Sequence, residues 1–127
     1  SGVVAIFAER MLRGEPVTIF GDGSQERDYI FVEDVVEAAM RAVAAEPATC
    51  VIGTGEGTTT LRLSQILASL TGYEHPPVFA GERPGDIDAI TLDASHARER
   101  WGWEPQVAIE DGLARTIEWF RARQDVS

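Results

Sequence analysis

Lysine and asparagine are absent from this sequence of 127 residues, and its eleven basic residues are all arginine. The 21 acidic residues outnumber them, and the net charge is −10. A surface with this charge repels a phosphate backbone, so nucleic acid is not expected as a partner. An anionic small ligand would need a local arginine site that acts against the overall charge.

Cysteine and histidine are scarce. Cys50 is the only cysteine, so no internal disulfide can form, and a reducing compartment, the cytoplasm, is expected. His75 and His96 lie far apart in the sequence and form no ligand cluster with Cys50, so no metal site is predicted. No serine stands in a nucleophile-elbow motif either.

Long hydrophobic runs are missing as well. No apolar stretch approaches the roughly 20 residues of a membrane-spanning helix, and no signal-peptide pattern opens the chain. The composition, 44% hydrophobic and 25% charged, is typical of a globular protein, and the length predicts a single domain over residues 1–127. Because the first residue is Ser1 and not methionine, we expect a piece of a longer chain.

The residues that are present predict a mixed α/β fold. Apolar residues recur at helical spacing in five segments, near residues 4–11, 33–45, 60–71, 93–101 and 109–120. Short apolar runs predict strands: "VTIF" and "DYIFV", which we expect to form a hairpin-like pair over residues 17–32, then "TCVIG" and "PPVFA". "TCVIG" is apolar on both faces, as in a strand buried within a parallel sheet.

Several contacts of these elements can be predicted. The second helix carries an apolar stripe at i, i+3, i+4 and i+7 spacing, the pattern of a face that packs on another element. Glu37 and Arg41 should pair across one turn, and Asp93 should cap the fourth helix. The tryptophans are expected to lie in the core or to anchor helix packing: Trp101, Trp103 and Trp119.

Two glycine-rich stretches invite comparison with phosphate-binding loops. "GDGSQERDY", residues 21–29, is followed by the strand-like "IFV", whereas a phosphate loop opens a helix. "GTGEG", residues 53–57, has Thr58 where a dinucleotide loop needs its third glycine, and Glu56 would repel a pyrophosphate. A plain turn between a strand and a helix is therefore favoured for the second stretch.

The first stretch is interpreted as a loop that positions an arginine. A diphosphate is well held by guanidinium groups, which bind it in a bidentate manner. In an extended strand, Arg27, Tyr29 and Phe31 point to one face, so a cation and two aromatic rings could hold a nucleotide together. The alternative is that Arg27 and Arg83 form surface ion pairs with neighbouring carboxylates, which contribute little.

Four blocks of the sequence, in matching order, resemble the C-terminal part of the extended short-chain dehydrogenase/reductase family, especially nucleotide-sugar 4-epimerases of the UDP-glucose 4-epimerase type. The blocks are "PVTIFGDGSQERDYIFVEDVVEAAMRAV", "VIGTGEGTTTLRLSQILASLTG", "RPGDIDAITLDASHARERWGWEP" and "GLARTIEWF". The resemblance extends from about residue 3 to residue 121. It implies the C-terminal part of an extended Rossmann-type epimerase, with short strands and about five helices, lacking the main NAD-binding sheet.

The resemblance also implies a substrate site on the first glycine-rich stretch and the strand before it. Thr18 and Phe20 would line the nucleotide base. Arg27, with Tyr29 beside it, would contact the diphosphate.

A second segment would complete this implied site. Arg83 would hold the diphosphate from the other side, and Asp86 would accept hydrogen bonds from the ribose. Ile90 stands where some epimerases of this type carry an aromatic residue near the hexose, so the identity of the sugar stays open.

The family's glycine-rich NAD loop and its catalytic Tyr-x-x-x-Lys belong to an N-terminal Rossmann domain, and neither is found in this sequence. Without lysine the catalytic pair cannot be present, so the resemblance implies no catalytic and no cofactor-binding residue in this chain. NAD is expected in the full-length enzyme and is not expected to bind to this chain alone. The isolated chain is predicted to be inactive.

The expected partners are a UDP- or dTDP-sugar, the missing N-terminal half and a second copy of the chain, since an unpaired "TCVIG" strand would invite association. Two alternatives stay open. The chain could be the C-terminal part of a dTDP-glucose 4,6-dehydratase or a UDP-glucuronate decarboxylase, which share this architecture. It could also be a freestanding, non-enzymatic module for sugar-nucleotide binding or oligomerisation.

Overall fold

The computed structural model of the chain describes residues 2–81 and 92–126. This part of the chain contains five helices and four short strands, which confirms the predicted mixed α/β class with about five helices. In chain order the elements are α1 (Val3–Leu12), β1 (Thr18–Phe20), β2 (Glu26–Arg27), α2 (Val32–Ala44), β3 (Thr58–Thr59), α3 (Thr60–Thr71), β4 (Val78–Ala80), α4 (Ser95–Trp101) and α5 (Ile109–Val126).

The main core lies between α1, α3, α5 and β1. Helix α3 has leucine and isoleucine at helical spacing, and these side chains pack against buried residues of the other three elements. The buried cluster consists of Phe7, Ala8, Met11, Val17, Ile19, Leu63, Ile66, Leu67, Leu113 and Ile117. Burying one such large apolar side chain contributes about 1.5–3 kcal/mol to folding, so this cluster fixes α1 and β1 relative to α3.

The ends of α3 agree with the prediction from sequence. At its start, the Thr59 hydroxyl oxygen accepts a hydrogen bond from the Arg62 amide at 3.0 Å. At its end, Gly72 has φ of 75°, a left-handed conformation that glycine adopts without strain. The helix is therefore bounded by two local signals that can be read in the sequence.

The predicted hairpin over residues 17–32 is wrong. Strand β1 pairs in parallel with β4, with Ile19 opposite Phe79, whereas β2 pairs antiparallel with β3. Gly21 and Gly23, with φ of 72° and 80°, turn the chain away from β1. The second half of the expected hairpin is a connection, and its last residue, Val32, already begins α2.

The predicted strand "TCVIG" is also not formed. Residues 49–53 have no regular secondary structure, and no strand among the described residues offers them a hydrogen-bonding edge. Cys50 and Ile52 pack instead against a second, smaller core of Ala38, Ala97 and Trp103. The apolar pattern indicates packing correctly, but a strand needs a neighbour that the described part of the chain does not supply.

Helix α2 is confirmed, and so is its Glu37–Arg41 ion pair at 2.9 Å. Its apolar stripe is not covered: within the described residues, only Asp34 and Ala38 of this helix are buried. The stripe residues with large apolar side chains are exposed: Val32 64%, Val35 42%, Val36 52%, Met40 65% and Val43 88%. The stripe is therefore an open apolar face.

Two further expectations need correction. The cap of α4 is shifted by one residue: Ala94 is the N-cap, and the Asp93 carboxylate accepts a hydrogen bond from the Ser95 amide at 2.9 Å. Trp103 is buried as expected, but Trp119 is 54% exposed, with the Arg123 guanidinium 4.4 Å from its ring centre.

No helix in residues 2–81 and 92–126 is long and apolar enough to cross a membrane.

Candidate functional site

A cavity of about 510 Å³ lies beside α1, β1 and β2. Four of the six site residues predicted from sequence line it: Thr18, Phe20, Arg27 and Tyr29. The other two, Arg83 and Asp86, lie outside the described residues, as does Ile90. Phe31, predicted to share a strand face with Arg27 and Tyr29, does not line this cavity: no strand forms over residues 28–31, and Phe31 lines a different cavity with Gly112.

The alternation of β1 places two of these residues. Ile19 is fully buried in the main core, and because successive side chains of a strand point to opposite faces, Thr18 and Phe20 face away from the core. Both line the cavity. The three-residue strand therefore uses one face for stability and the other for the candidate site.

Arg27 reaches the cavity from β2, where its backbone is paired with Thr58. Its guanidinium Nη1 donates a hydrogen bond to the Glu26 carbonyl oxygen at 2.8 Å, which directs the group along its own strand. Burial raises the pKa of the Tyr29 phenol, and the nearby positive charge of Arg27 opposes this increase. Tyr29 therefore stays a neutral hydrogen-bond donor at physiological pH, next to a fixed cation.

Three polar cavity residues are missed by the sequence analysis: Arg10, Gln25 and Thr60. Arg10 extends from α1, a helix whose sequence draws attention only to its apolar stripe. A signal is present, because Phe7 and Arg10 are three residues apart and so lie on the same helical face. Among the described residues that line the cavity, Arg10 and Arg27 are the cations and none is acidic.

Asp28, between the two cavity residues Arg27 and Tyr29, forms hydrogen bonds with other segments of the chain. Its carboxylate accepts hydrogen bonds from the Thr54 hydroxyl at 2.6 Å and the Thr54 amide at 2.9 Å. It also accepts bonds from the amides of Gly55 at 2.9 Å and Leu92 at 3.1 Å. The Asp28 carboxylate thus connects residues 54–55 and residue 92 to the position that directly follows β2.

The role of "GTGEG" follows from these bonds. Its amides at residues 54 and 55 donate hydrogen bonds to the Asp28 carboxylate, so they do not form a free phosphate cradle. The favoured turn between a strand and a helix is only partly correct, because residues 49–53 before it form no strand. Gly53 is required by close packing, because a Cβ atom there would lie 2.6 Å from the Leu92 Cβ and 3.0 Å from Asp28 Oδ2. Within the described residues, this stretch therefore does not fit a dinucleotide cofactor.

A second carboxylate fixes the start of α2. Asp34 is buried, and its two oxygens accept hydrogen bonds from the amides of Gln106 at 3.0 Å and Val107 at 3.1 Å. The Trp103 indole donates to the Asp34 carbonyl oxygen at 2.9 Å. Residues 103–107 are thereby held next to Tyr29, with which Gln106 and Val107 line a smaller cavity of about 300 Å³.

Metal chemistry finds no support in the described residues, which contain no cluster of three or more histidine, cysteine or acidic side chains able to hold an ion. His75 and His96 are both exposed. The described lining of the cavity instead contains two arginines, the Tyr29 phenol and the rings of Phe7 and Phe20.

The sequence matches the family model described as GDP-mannose 4,6 dehydratase over residues 2–116. The UDP-glucose 4-epimerase of Mycolicibacterium smegmatis is 46% identical over 123 residues, which cover 95% of this chain and 39% of that protein.

Solved structures are similar over the same region. The UDP-glucose 4-epimerase of Thermotoga maritima with UDP-glucose has a TM-score of 0.95 and 49% identity, and the match covers 98% of this chain and 40% of that one. The Thermus thermophilus UDP-glucose 4-epimerase in complex with NAD has a TM-score of 0.84 and 38% identity, covering 94% and 40% of the two chains. The chain therefore spans about 40% of the length of these relatives.

Proposed function

Because the chain belongs to the GDP-mannose 4,6-dehydratase family of extended short-chain dehydrogenases/reductases, we propose that it is the nucleotide-sugar-binding part of a UDP-sugar epimerase. The observation that carries this proposal is the convergence of Thr18, Phe20, Arg27 and Tyr29 on one cavity. Thr18 and Phe20 lie on β1, Arg27 lies on β2 and Tyr29 follows it, and the two strands do not pair with each other.

The chemistry of the cavity fits a nucleoside diphosphate. The Arg27 guanidinium can bind a phosphate through two parallel hydrogen bonds. Tyr29, protonated at neutral pH, can donate a further hydrogen bond to a phosphate or sugar oxygen. Phe20 and Tyr29 provide flat apolar surface for a base or a ribose. The lack of acidic side chains among the described lining residues favours an anion despite the overall charge of −10.

We propose that NAD binding and catalysis belong to the rest of a longer protein. NAD supplies the hydride acceptor in such enzymes, but the residues described here offer it no loop, because the "GTGEG" amides at 54 and 55 bind Asp28. The sequence also contains no lysine, which the family's catalytic pair requires. This chain would hold and orient the substrate, and we derive no hydride step from its residues.

The exposed apolar face of α2 is proposed as the surface that the rest of such a protein covers. Val36, Met40 and Val43 are each more than half exposed, which is unfavourable in water and normal at an interface. In the longer relatives, about 60% of the length lies outside the matched region. An additional domain of that size is sufficient to bury this face.

Calorimetry with UDP tests the binding proposal. It should be done on the full protein that contains this chain, comparing wild type, Arg27→Gln and the control Arg100→Gln, which makes the same charge change on α4 away from the cavity. A charge-assisted contact of this kind predicts roughly 10- to 100-fold weaker UDP binding for Arg27→Gln and little change for Arg100→Gln.

Arg83→Ala extends the same experiment to the second implied arginine, whose role stays a prediction. We expect it to weaken UDP binding by a similar factor. No UDP binding by the wild-type protein would contradict the proposed function, and equal affinities of Arg27→Gln and Arg100→Gln would contradict the role of Arg27.

A further inference from the structure

Arg10 brings a second guanidinium to the candidate site. It lies on α1 on the same side as Val3 and Phe7, and all three line the cavity with Arg27. Phe7 is buried in the main core, which fixes the orientation of this face of the helix. Arg10 therefore lines the cavity from α1, an element separate from the β2 strand that carries Arg27.

Within residues 2–81 and 92–126, the contacts of Arg10 include no carboxylate. Its Nη1 atom donates a long hydrogen bond of 3.3 Å to the Pro16 carbonyl oxygen, and it forms no ion pair with a carboxylate of the described residues. Several exposed arginines of the described residues also form no ion pair, Arg13 and Arg100 among them, but these do not line the cavity. What distinguishes Arg10 is its position: it lines the same cavity as Arg27, and none of the described lining residues is acidic.

We propose that Arg10 binds the anionic part of the ligand together with Arg27, as a second cationic contact that the sequence motifs do not reveal. This inference rests on the proposed function, because it assigns a further binding residue to the same cavity. Two guanidiniums on different elements can neutralise a diphosphate better than one, since each offers several donors in a rigid fork. The hydrogen bond to Pro16 holds Arg10 at the edge of the cavity that Pro16 also lines.

The test measures Kd for UDP, UMP and uridine on the full protein that contains this chain, for wild type, Arg10→Gln and Arg13→Gln. Arg13 is the matched control, because it lies three residues further along, is exposed and does not line the cavity. Arg10→Gln should weaken UDP binding by about tenfold or more, and Arg13→Gln should change it by less than about twofold. The loss should be smaller for UMP and absent for uridine.

A second variant, Arg10→Lys, separates charge from geometry. It keeps the positive charge, so it should recover part of the UDP affinity that Arg10→Gln loses. Far-ultraviolet circular dichroism of each variant checks that α1 is intact; because Arg10 is exposed, we expect wild-type spectra.

The outcomes distinguish this inference from the proposed function. If UDP binds to wild type and Arg27→Gln weakens it, but Arg10→Gln behaves like Arg13→Gln, the inference is overturned and the proposed function stands. An equal loss for uridine and UDP would also overturn it, since the contact would then not be with phosphate. If wild type binds no UDP, the proposed function fails and the inference fails with it.

Discussion

At the scale of single residues, the carboxylate of Asp28 links the candidate site to the surrounding loops. Burial alone would raise its pKa, but hydrogen bonds from the hydroxyl and amide of Thr54 and from the amides of Leu92 and Gly55 lower the pKa below the ordinary value. These hydrogen bonds in the folded chain therefore stabilise the ionised carboxylate of Asp28. The contribution of Asp28 to the free energy of unfolding therefore depends on pH.

Asp28→Asn should lower the free energy of unfolding by about 1–3 kcal/mol at neutral pH, because the amide nitrogen cannot accept the bonds that the carboxylate accepts. The difference between wild type and variant should be full above the unfolded pKa of about 3.9. It should disappear as the pH falls through the lower folded pKa. Urea unfolding of both proteins at several pH values measures this difference.

The control for this measurement is Asp22→Asn. Asp22 is exposed and accepts a hydrogen bond from the nearby Ser24 amide, so its replacement should have a much smaller effect. The role assigned to Asp28 would be contradicted if Asp28→Asn destabilised the protein no more than Asp22→Asn does, or if its effect did not change with pH.

At the scale of secondary-structure elements, the sequence predicts what depends on local signals. Helices α1, α2, α3 and α5 follow from apolar periodicity, and α3 also from its caps at Thr59 and Gly72; these signals involve residues at most four positions apart. Strand pairing depends on residues far apart in the chain, and β1 finds its partner, β4, about 60 residues later, with Thr18 opposite Val78. For this reason the hairpin prediction fails although the "VTIF" strand itself is found.

In the candidate site, too, local signals predict some residues, whereas others are found only through contacts between distant parts of the chain. Thr18 and Phe20 share a face because a strand alternates, and a motif draws attention to Arg27 and Tyr29. Arg10 carries no motif, and only the packing of α1 against the main core brings it to the cavity. Likewise, nothing local indicates that the carboxylate at position 28 binds residues 54, 55 and 92, because those contacts exist only in the folded chain.

Gly53→Ala tests the packing of the loop that Asp28 holds. The new Cβ would lie 2.6 Å from the Leu92 Cβ, so the loop must move, and we expect a loss of about 1–3 kcal/mol in unfolding free energy. Gly81→Ala is the control, since a Cβ there meets no atom within 4 Å. Chemical denaturation measures both, and equal stabilities of the two variants would show that the close approach at Gly53 has no consequence.

At the scale of the whole molecule, the dominant feature is the apolar face of α2. The second core beside it contains only three buried residues, Ala38, Ala97 and Trp103, and the large apolar residues of the helix are exposed to solvent. A chain that spans about 40% of its relatives is expected to expose surfaces that the remaining length would cover.

The isolated 127-residue chain should therefore self-associate through this face. Sedimentation velocity at micromolar concentration should show a dimer or larger species, and the double variant Met40→Lys/Val43→Lys should shift it toward monomer. Arg10→Gln, which changes a residue outside α2, serves as a control that leaves association unchanged. A stable, folded wild-type monomer would contradict this prediction.

The central claim is that the cavity beside α1, β1 and β2 holds a nucleoside diphosphate. A crystal structure of the full protein with UDP tests it most directly. We predict UDP in this cavity, with a phosphate oxygen within hydrogen-bond distance of the Arg27 guanidinium and the base beside Thr18 and Phe20. UDP bound elsewhere, with no atom in contact with Arg27, would contradict the account.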